Sequence, residues 1–489
     1  MKRFVTGFLR SLVLLSTLSA GLAACATAPG TGRTIFTGGL SEEKEAEIGR
    51  QQHPQILKQF GGAYDDPALA RYVTAVGERL AATAERKDLA YTFTVIDSSI
   101  VNAFALPGGY VYVTRGLLAL ARNEAELAGV LAHEIGHITA RHSAERYGQT
   151  LAANLATAGL GIFAGSAGAS AGQSLGALVL GSYSRDQEFE SDTLGVRYLS
   201  RAGYNTDAMA DFLSQLQANS RLEAEIAGRP GAADQFSLLQ THPKTADRIE
   251  RAVETAQVQA NANSDRRRKP YLRHIDGIIY GDNPDNGVIK GQSFLHPVLR
   301  FAFEVPEGFE LHNSPQQVVA RGPDDVFIIF DRAAAPYSGK MTRYLSDVWV
   351  TSVQLRDIEA LTINKMPAAT GRVQIDTNAG PRNLRTLAIR YDPQTIYRFL
   401  FVTPPAVTAR FNRDFRSASH SFRKLTAAQA RGIKPLRIGL HEVLPGETVE
   451  SIAADFPFAT RKTERLMVLN GFSSPEEVLP GMTIKIISN

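Results

Sequence analysis

The chain has 489 residues, of which 44% are hydrophobic and 21% charged, a composition typical of globular protein with room for about two to four domains. Its formal net charge of +4 includes Lys2, Arg3 and Arg10, which lie in a segment that we expect to be removed, so the rest of the chain is nearly neutral. This balance predicts no nucleic-acid partner, and a single cysteine excludes an intramolecular disulfide bond.

The first 24 residues have the order of an export signal. Basic residues precede a short apolar run at 11–22, and small residues stand just before Cys25. The apolar run is too short for a comfortable transmembrane helix. The sequence therefore predicts a signal peptide at 1–24, followed by a tether at 25–40 that is rich in Gly, Thr and Pro.

Cys25 and the small residues before it resemble the lipobox of bacterial lipoproteins. The resemblance implies a lipid on the Cys25 thiol, which anchors the protein to a membrane. Ala26 in place of aspartate implies, by the lipoprotein sorting rule, the outer membrane, with the protein facing the periplasm. The alternative is an ordinary cleaved signal with an incidental cysteine.

Residues 41–258 have the pattern of a mainly α-helical domain with a small β-hairpin or sheet. Charged and apolar positions alternate at helical spacing over 41–85, and 91–96 is rich in β-forming residues. A hairpin is predicted at 103–114, with its turn at Pro107-Gly108-Gly109.

More helices are predicted after the hairpin. Asn123 is a suitable N-cap, with Glu126 at the third helical position, and further helices are expected at 185–202 and 206–258. Residues 150–182 are rich in Ala, Gly, Ser and Leu. This composition is compatible with two interpretations. The segment forms closely packed helices, or it contacts a membrane or gates substrate entry.

The helix that follows Asn123 contains the sequence His-Glu-Ile-Gly-His. His133 and His137 are four positions apart, so both imidazoles point to one side of a helix and can share one Zn²⁺. Glu134 lies about 100° away around the axis, where it can take a proton from zinc-bound water and pass it to the leaving amine. His142 is excluded as a ligand, because a continuing helix would place it on the opposite face. The alternative is a surface helix with two incidental histidines.

A catalytic zinc site needs a third protein ligand. Glu188 and Asp192 are four positions apart on a predicted helix and share a face. We assign Glu188 as the third ligand and Asp192 as the acceptor of a hydrogen bond from a liganding imidazole. Glu190 is the competing candidate for the third ligand.

The pattern changes after a linker at 259–270, whose basic cluster at 266–269 is interpreted as solvated. Strand-like runs at 301–305, 326–330 and 397–401 alternate with a helical pattern at 341–355. They predict an α+β domain at 271–428, in which no catalytic constellation is apparent.

Residues 436–489 have the βααβ pattern of a small separate unit, and they resemble a LysM module. The resemblance implies contact with glycans that contain N-acetylglucosamine, here peptidoglycan. The alternative is a packing or protein-contact module that kept the fold and lost the sugar.

The motifs at 41–255 together resemble the gluzincin peptidases of the CAAX-prenyl-endopeptidase and HtpX kind, above all their periplasmic barrel-assembly-enhancing branch. The shared pieces are Asn102-Ala103-Phe104 with the hairpin that follows, the helix with His133 and His137, and Glu188–Asp192. Ser191 departs from the alanine that the family often has. Helical tetratricopeptide repeats, which the barrel-assembly-enhancing branch carries downstream, are not predicted in this chain.

The resemblance implies roles for further residues. Thr241-His242-Pro243 with Arg248 matches a family motif whose histidine and arginine lie at the active site. His242 either hydrogen-bonds the tetrahedral intermediate or occupies the fourth zinc position and keeps the enzyme latent; the alternative is that Thr241-His242-Pro243 only begins a helix. Asn102-Ala103-Phe104 would be an edge strand that pairs with an extended substrate.

The sequence thus predicts a multidomain, membrane-anchored periplasmic zinc endopeptidase with one Zn²⁺ per chain. Glu134 is the expected general base, with His242 and Arg248 as further catalytic groups. The expected partners are protein substrates of the cell envelope, peptidoglycan through the C-terminal module, and the membrane through Cys25. The alternative function is that of a largely latent envelope chaperone or peptidoglycan-binding scaffold.

Overall fold

The computed structural model describes residues 25–161, 182–231, 242, 245–258 and 265–489. The predicted signal peptide and most of 150–182 therefore lie outside the described residues. The chain forms two compact units. The first contains Gly62–Tyr280, Arg437–Ser488 and the described residues before Lys58, and the second contains Gly281–Leu436, Lys58–Gly61 and Asn489.

The segment predicted as a tether is folded, so that prediction is wrong. Strands β1 (Cys25–Thr27) and β2 (Thr34–Phe36) form an antiparallel hairpin, and Ile35 of β2 is buried. Arg33 forms ion pairs with Glu145 at 2.6 Å and Glu190 at 3.0 Å. The composition of this segment could not predict these ion pairs, because the acidic partners lie more than a hundred residues further along the chain.

Helices dominate the rest of the first unit before Tyr280, as their spacing predicts. They are α1 (Glu42–Gln59), α2 (Pro67–Ala81), α3 (Arg115–Leu120), α4 (Glu124–Thr139), α5 (His142–Gly161), α6 (Arg185–Arg201), α7 (Ala208–Ile226), α8 (Thr245–Val258) and α9 (Arg268–Ile275).

Helix α4 is the central element of this unit, and all 16 of its residues are buried. Asn123 caps it as predicted, since its side-chain oxygen accepts the backbone N–H of Glu126 at 3.0 Å. Helix α6 packs closely on α4 at Gly136, where an added Cβ would lie only 2.7 Å from the Ser191 hydroxyl. The absence of a side chain at Gly136 therefore brings the two helices together.

A three-stranded sheet lies beside α4, in the order β3 (Thr92–Ile96), β5 (Tyr110–Thr114), β4 (Ala103–Leu106). The predicted strand and hairpin are both present, with β4 antiparallel and β3 parallel to β5. Gly108 and Gly109 in the hairpin turn have φ of +82° and +93°, which only glycine adopts at low cost. Strand β4 is an edge of this sheet.

Two elements predicted to lie in the linker and the second domain belong to the first unit instead. They are helix α9 and strand β6 (Ile279–Tyr280), so the boundary falls at Gly281 rather than at 271. The basic cluster before α9 is also paired rather than simply solvated. Arg267 forms an ion pair with Glu124 at 3.0 Å, and Arg268 donates to the backbone carbonyl of Arg122 at 2.9 Å.

The second unit combines antiparallel sheets with a few helices, in agreement with the predicted α+β class. Its strands are β7 (Val288–Lys290), β8 (Ser293–His296), β9 (Phe301–Glu304), β10 (Glu310–Asn313), β11 (Gln317–Arg321), β12 (Phe327–Arg332), β13 (Arg356–Ile363), β14 (Met366–Thr377), β15 (Gly380–Asp392), β16 (Thr395–Thr403) and β17 (Arg423–Lys424). Seven strands form one sheet in the order β10-β11-β12-β16-β15-β14-β13, and four form another in the order β17-β9-β8-β7.

The core of this unit is aromatic. Phe301, Phe303, Phe330, Phe399 and Phe401 are buried together, and helix α11 (Thr408–Ser421) closes part of the same core, after α10 (Met341–Tyr344). The helix predicted at 341–355 is too long: a single wide turn at Leu345–Trp349 follows α10, and the helix stops there. The β-branched residues after Trp349 disfavour helix, which explains the early end.

The C-terminal segment has the predicted βααβ order: β18 (Leu436–Glu442), α13 (Val449–Ala453), α14 (Lys462–Asn470) and β19 (Thr483–Ser488), after the short helix α12 (Ala427–Arg431) of the second unit. It is not a separate unit, because β18 pairs with both β19 and β6. Lys485 is fully buried and donates to the carbonyls of Ala119, Leu120 and Ala121 at 2.6–3.0 Å. Among the described helices, none combines the length and apolarity needed to cross a bilayer.

Candidate metal centre

The two histidines of α4 converge as their spacing predicts. The Nε2 atoms of His133 and His137 are 2.9 Å apart, and both side chains are buried. Burial and the neighbouring His133 hold the pKa of His137 well below its usual value. The imidazole is therefore neutral, which is the form that binds a metal ion.

Helix α6 brings a carboxylate to this pair. The Oε1 atom of Glu188 lies 3.3 Å from Nε2 of His137, and its Oε2 lies 3.6 Å from Nε2 of His133. Burial alone would raise the pKa of Glu188, but the charges of Arg248 and His242 and hydrogen bonds from His137 and His242 hold it well below its usual range. Glu188 is therefore ionised, as a metal ligand must be.

His242 completes the cluster. Its Nδ1 lies 2.8 Å from Oε1 of Glu188 and 3.2 Å from Nε2 of His133, and the ring is buried. Helix α8 is described from Thr245, and His242 lies before it, in contact with Glu188 and His133. Thr241 and Pro243 lie outside the described residues.

Asp192 and Arg248 contact the side chains of the cluster and orient them. Asp192 lies 2.9 Å from Nδ1 of His133, and two nitrogens of Arg248 bind it at 2.7 and 2.8 Å. A third nitrogen of Arg248 is 2.7 Å from Glu188. Arg248 thus orients the carboxylates of both residues, while Asp192 accepts from His133 as expected for a partner that orients a ligand.

The donor set suits zinc. One side-chain atom each of His133, His137, Glu188 and His242 lies within 4.8 Å of all the others, and it is the only such group of buried donors among the described residues. Imidazole nitrogens with a carboxylate oxygen are a common ligand set of catalytic zinc. These four side chains can therefore hold the predicted ion.

Glu134 lies next to the donors but not among them. Its carboxylate is fully buried, and its two oxygens accept no hydrogen bond from any described residue. Oε1 of Glu134 is 3.7 Å from Nε2 of His242. Burial raises the pKa of Glu134. A buried carboxylate without a partner is costly, and it is expected where a side chain must receive a proton from a bound molecule.

The surroundings of the cluster include His142, which the sequence pattern excluded as a ligand, and Tyr183, which it did not single out. Nδ1 of His142 lies 2.7 Å from Nδ1 of His137, because α4 ends at Thr139 and Arg141 (φ +57°) redirects the chain. His142 is not in the group of four donors that could share one ion, and its position follows from the turn after α4 rather than from the continuing helix that was expected. The ring of Tyr183 stacks on His137 with centroids 3.7 Å apart, and no local pattern could have revealed it.

Two neighbours of Glu188 on α6, Glu190 and Ser191, lie outside the group of metal donors. Glu190, the competing ligand, instead contacts Nε2 of His142 at 3.2 Å and pairs with Arg33. Ser191, the departure from the family pattern, donates to the backbone carbonyl of His133 at 2.5 Å and so ties α6 to α4. Cys25 is exposed.

Asn102 precedes the edge strand β4. Its carbonyl accepts the backbone N–H of Thr114 at 3.0 Å, so Asn102 faces β5. Because backbone groups alternate in direction along an antiparallel strand, those of Ala103 and Ala105 point to the free edge while those of Phe104 point to β5. The side chains of Ala103 and Phe104 are buried.

Comparison with known families divides the chain in the same way. Residues 67–256 match Peptidase family M48, and residues 441–486 match the LysM domain. The first match contains every residue of the metal cluster, and the second covers most of the βααβ segment.

Several named relatives each align with about half of this chain. A beta-barrel assembly-enhancing protease of Yersinia pestis is 31% identical over 50% of this chain and 51% of its own length. The mitochondrial metalloendopeptidase OMA1 of Schizosaccharomyces pombe is 32% identical over 44% of this chain and 62% of its own. Metalloprotease YcaL of Escherichia coli is 26% identical over 49% of this chain and 94% of its own. The chain spans about half the length of the barrel-assembly proteases that it matches.

Proposed function

We propose that this protein is a zinc endopeptidase of the bacterial cell envelope, because residues 67–256 match Peptidase family M48 and residues 441–486 match the LysM domain. The observation that carries the proposal is the buried cluster of His133, His137, Glu188 and His242, beside which the Glu134 carboxylate accepts no hydrogen bond from any described residue. The names of the aligned relatives, all proteases, support it.

Glu134 is the general base in this proposal. Zinc bound to the cluster would lower the pKa of water and polarise a peptide carbonyl. The Glu134 carboxylate accepts the proton of the attacking water and delivers it to the departing nitrogen. Its burial, which raises its pKa above the usual value of a carboxyl group, suits both steps.

The substrate would bind as an extended strand along β4. The backbone groups of Ala103 and Ala105 point away from β5, and β4 lies beside α4, which bears the base. An added strand gains main-chain hydrogen bonds irrespective of sequence, which suits an enzyme that cleaves misfolded or stalled envelope proteins.

His242 has two possible effects in the proposed enzyme. Its Nδ1 is close enough to the other donors to serve as the fourth ligand, which would exclude water and keep the enzyme latent. This contact favours latency in the resting state. It also supports the second candidate function, a largely latent chaperone or scaffold that holds to peptidoglycan through its LysM domain.

The proposed location is the periplasmic face of the outer membrane. It is supported by the signal-like residues 1–24, the exposed Cys25 as a lipid acceptor, and a LysM domain that fits peptidoglycan.

The experiment compares zinc content and casein cleavage for the purified wild type, Glu134→Gln and His242→Ala. We expect about one zinc per chain in the wild type and in Glu134→Gln, and a cleavage rate about 10²–10⁴-fold lower in Glu134→Gln. Retained cleavage in Glu134→Gln would refute the general base, and absence of zinc with absence of cleavage in the wild type would refute the enzyme.

His242→Ala separates the two effects of His242. A higher cleavage rate than the wild type would identify His242 as a latent fourth ligand. A loss of cleavage with zinc retained would instead identify it as a group that contacts the reacting carbonyl. In a deletion strain, full rescue of envelope integrity by Glu134→Gln would favour the scaffold.

A further inference from the structure

Three arginines stand side by side in the seven-stranded sheet of the second unit. Arg356 of β13 is directly opposite Arg372 of β14, and Arg372 is directly opposite Arg385 of β15. Directly opposed residues project from the same face, with their Cβ atoms about 5 Å apart. Like charges in such positions destabilise a sheet, so the row needs a compensating partner.

The described carboxylates compensate only part of this charge. Asp357 forms an ion pair with Arg372. No described carboxylate lies within ion-pairing distance of Arg356 or Arg385, although Arg385 is half-buried. Asp376 lies four positions along β14 from Arg372, which is about 13 Å. The row therefore has a surplus of positive charge.

The row lines a cavity of about 790 Å³ within the second unit. Strands β14 and β15 are 12 and 13 residues long, and the apolar part of their shared face is filled by the aromatic core under α11. The arginines lie on the same face beyond this core, so the face continues as an open pocket. Other lining residues include Asp357, Asp376, Asn383, Asn412, Phe401 and Phe415, so the lining carries three arginines against two carboxylates.

We propose that this cavity binds a ligand with at least two oxyanion groups, phosphate or carboxylate, spaced about 5 Å apart as the strands are. A guanidinium presents a fork of N–H donors that matches either group with two hydrogen bonds. Arg356 and Arg385 supply forks without ion-pair partners, and Arg372 lies between them. The amide of Asn412 is available for a neutral polar group of the same molecule, whereas that of Asn383 donates to the Thr408 hydroxyl at 2.9 Å. A volume of this size is within the range of small-ligand sites.

A ligand-binding role and a purely structural role of the arginines predict different effects of a substitution on the stability of the unliganded protein. If the arginines only supported the sheet, removing one would lower its stability. Because the row is self-repelling, replacing Arg385 with glutamine should leave the unliganded second unit equally stable or more stable. The ligand would then be what offsets the repulsion.

The test uses the whole purified protein with tripolyphosphate, tricarballylate and orthophosphate as probes. Calorimetric titration gives the affinities, and the fluorescence of Trp349, the single tryptophan of the chain, follows thermal unfolding of the second unit. We expect tripolyphosphate or tricarballylate to bind at least about tenfold more tightly than orthophosphate, and the tighter of the two identifies phosphate or carboxylate chemistry.

Three variants complete the test. Arg385→Gln and Arg372→Gln should each weaken binding by about tenfold, since each loses charge-assisted hydrogen bonds. Arg382→Gln removes the same charge from β15, but it lies three positions before Arg385 and thus on the other face, so its affinity should equal that of the wild type. Equal weakening by all three variants, no binding of any probe, or lower unliganded stability of Arg385→Gln would overturn the proposal. None of these outcomes depends on peptidase activity.

Discussion

At the scale of single residues, the candidate metal centre depends on side chains that are outside its group of four donors. Asp192 holds the ring of His133 through Nδ1 and is itself held by two nitrogens of Arg248. Such a partner fixes the tautomer and orientation of a ligand. Arg248 also reaches Glu188, so one cation orients two carboxylates.

Replacing Asp192 with asparagine tests this arrangement. We expect zinc affinity to fall by about 10–100-fold, because the amide cannot both accept from His133 and neutralise Arg248. A competition titration with a zinc chelator measures the affinity. Asp186→Asn is the control, since Asp186 is exposed on the same helix. Equal affinities of Asp192→Asn and the wild type would show that Asp192 does not orient the ligand.

His296 gives the second unit a pH dependence. Burial lowers the pKa of His296 to about 4, and its Nδ1 accepts the backbone N–H of Leu299 at 3.3 Å, which requires an unprotonated nitrogen. The unfolded chain takes up this proton near pH 6.5, earlier than the folded one. The stabilisation is therefore complete above about pH 6.5 and is lost as the pH falls towards about 4.

Replacing His296 with glutamine should remove this pH dependence. Between about pH 7 and about pH 4, the free energy of unfolding of the wild type should fall by about 2 kcal/mol more than that of His296→Gln, after allowance for partial exposure. Denaturant titration followed by Trp349 fluorescence measures the difference. His312→Gln, at an exposed position, should behave as the wild type does. Parallel profiles of His296→Gln and the wild type would contradict the assignment.

At the scale of elements, the centre exists because α4 and α6 approach closely. Gly136, inside the zinc-binding motif, faces Ser191, whose hydroxyl bonds to the carbonyl of His133. Gly195 allows the same approach one turn further along α6, where an added Cβ would lie 3.2 Å from the backbone nitrogen of His133. The distance between the histidine pair and Glu188 is set by this packing.

Replacing Gly136 with alanine should push the helices apart. The new Cβ would lie 2.7 Å from the Ser191 hydroxyl and 2.9 Å from its backbone oxygen, so stability should fall by about 1–3 kcal/mol, and zinc binding should weaken. Thermal unfolding and zinc titration measure both. Gly129→Ala on the same helix is the matched control: its Cβ would lie 3.4 Å from Met209, and alanine should stabilise the helix by up to about 1 kcal/mol. The same result for both variants would exclude the packing explanation.

At the scale of the molecule, the LysM segment is part of the first unit. Lys485 donates to three carbonyls at the C-terminal end of α3, where a helix favours a positive charge. Strand β18 pairs with β6, which precedes the second unit in the chain. Through Lys485, the segment is thus attached to residues 119–121, which directly precede α4.

Replacing Lys485 with methionine should loosen this attachment. Three buried carbonyls would lose their donor, at a cost of about 3 kcal/mol, and the amides of β18 and β19 should exchange with solvent faster. Hydrogen exchange with mass spectrometry measures this. Lys462→Met is the control, because Lys462 is an exposed lysine of the same segment that bonds to one carbonyl. Unchanged protection in Lys485→Met would mean that the segment is held by other contacts.

Local spacing in the sequence was enough to predict most helices and the hairpin of the first unit, and the histidine pair of the candidate metal centre. Two histidines one turn apart, a capped helix and a Pro-Gly-Gly hairpin depend on backbone geometry alone, which a short window of residues contains. Glu188 and Asp192 followed from the same periodicity, and His242 and Arg248 from resemblance to a family. The βααβ order of the C-terminal segment was equally local.

Only the tertiary structure decided which distant residues meet. The pairing of Arg33 with Glu145 and Glu190, the ring of Tyr183 on His137, and Lys485 under α3 each join residues far apart in the chain. The arginine row depends on strand register, which the pattern of a single strand does not contain. Periodicity determines the face of an element on which a side chain lies, whereas packing determines what that face meets.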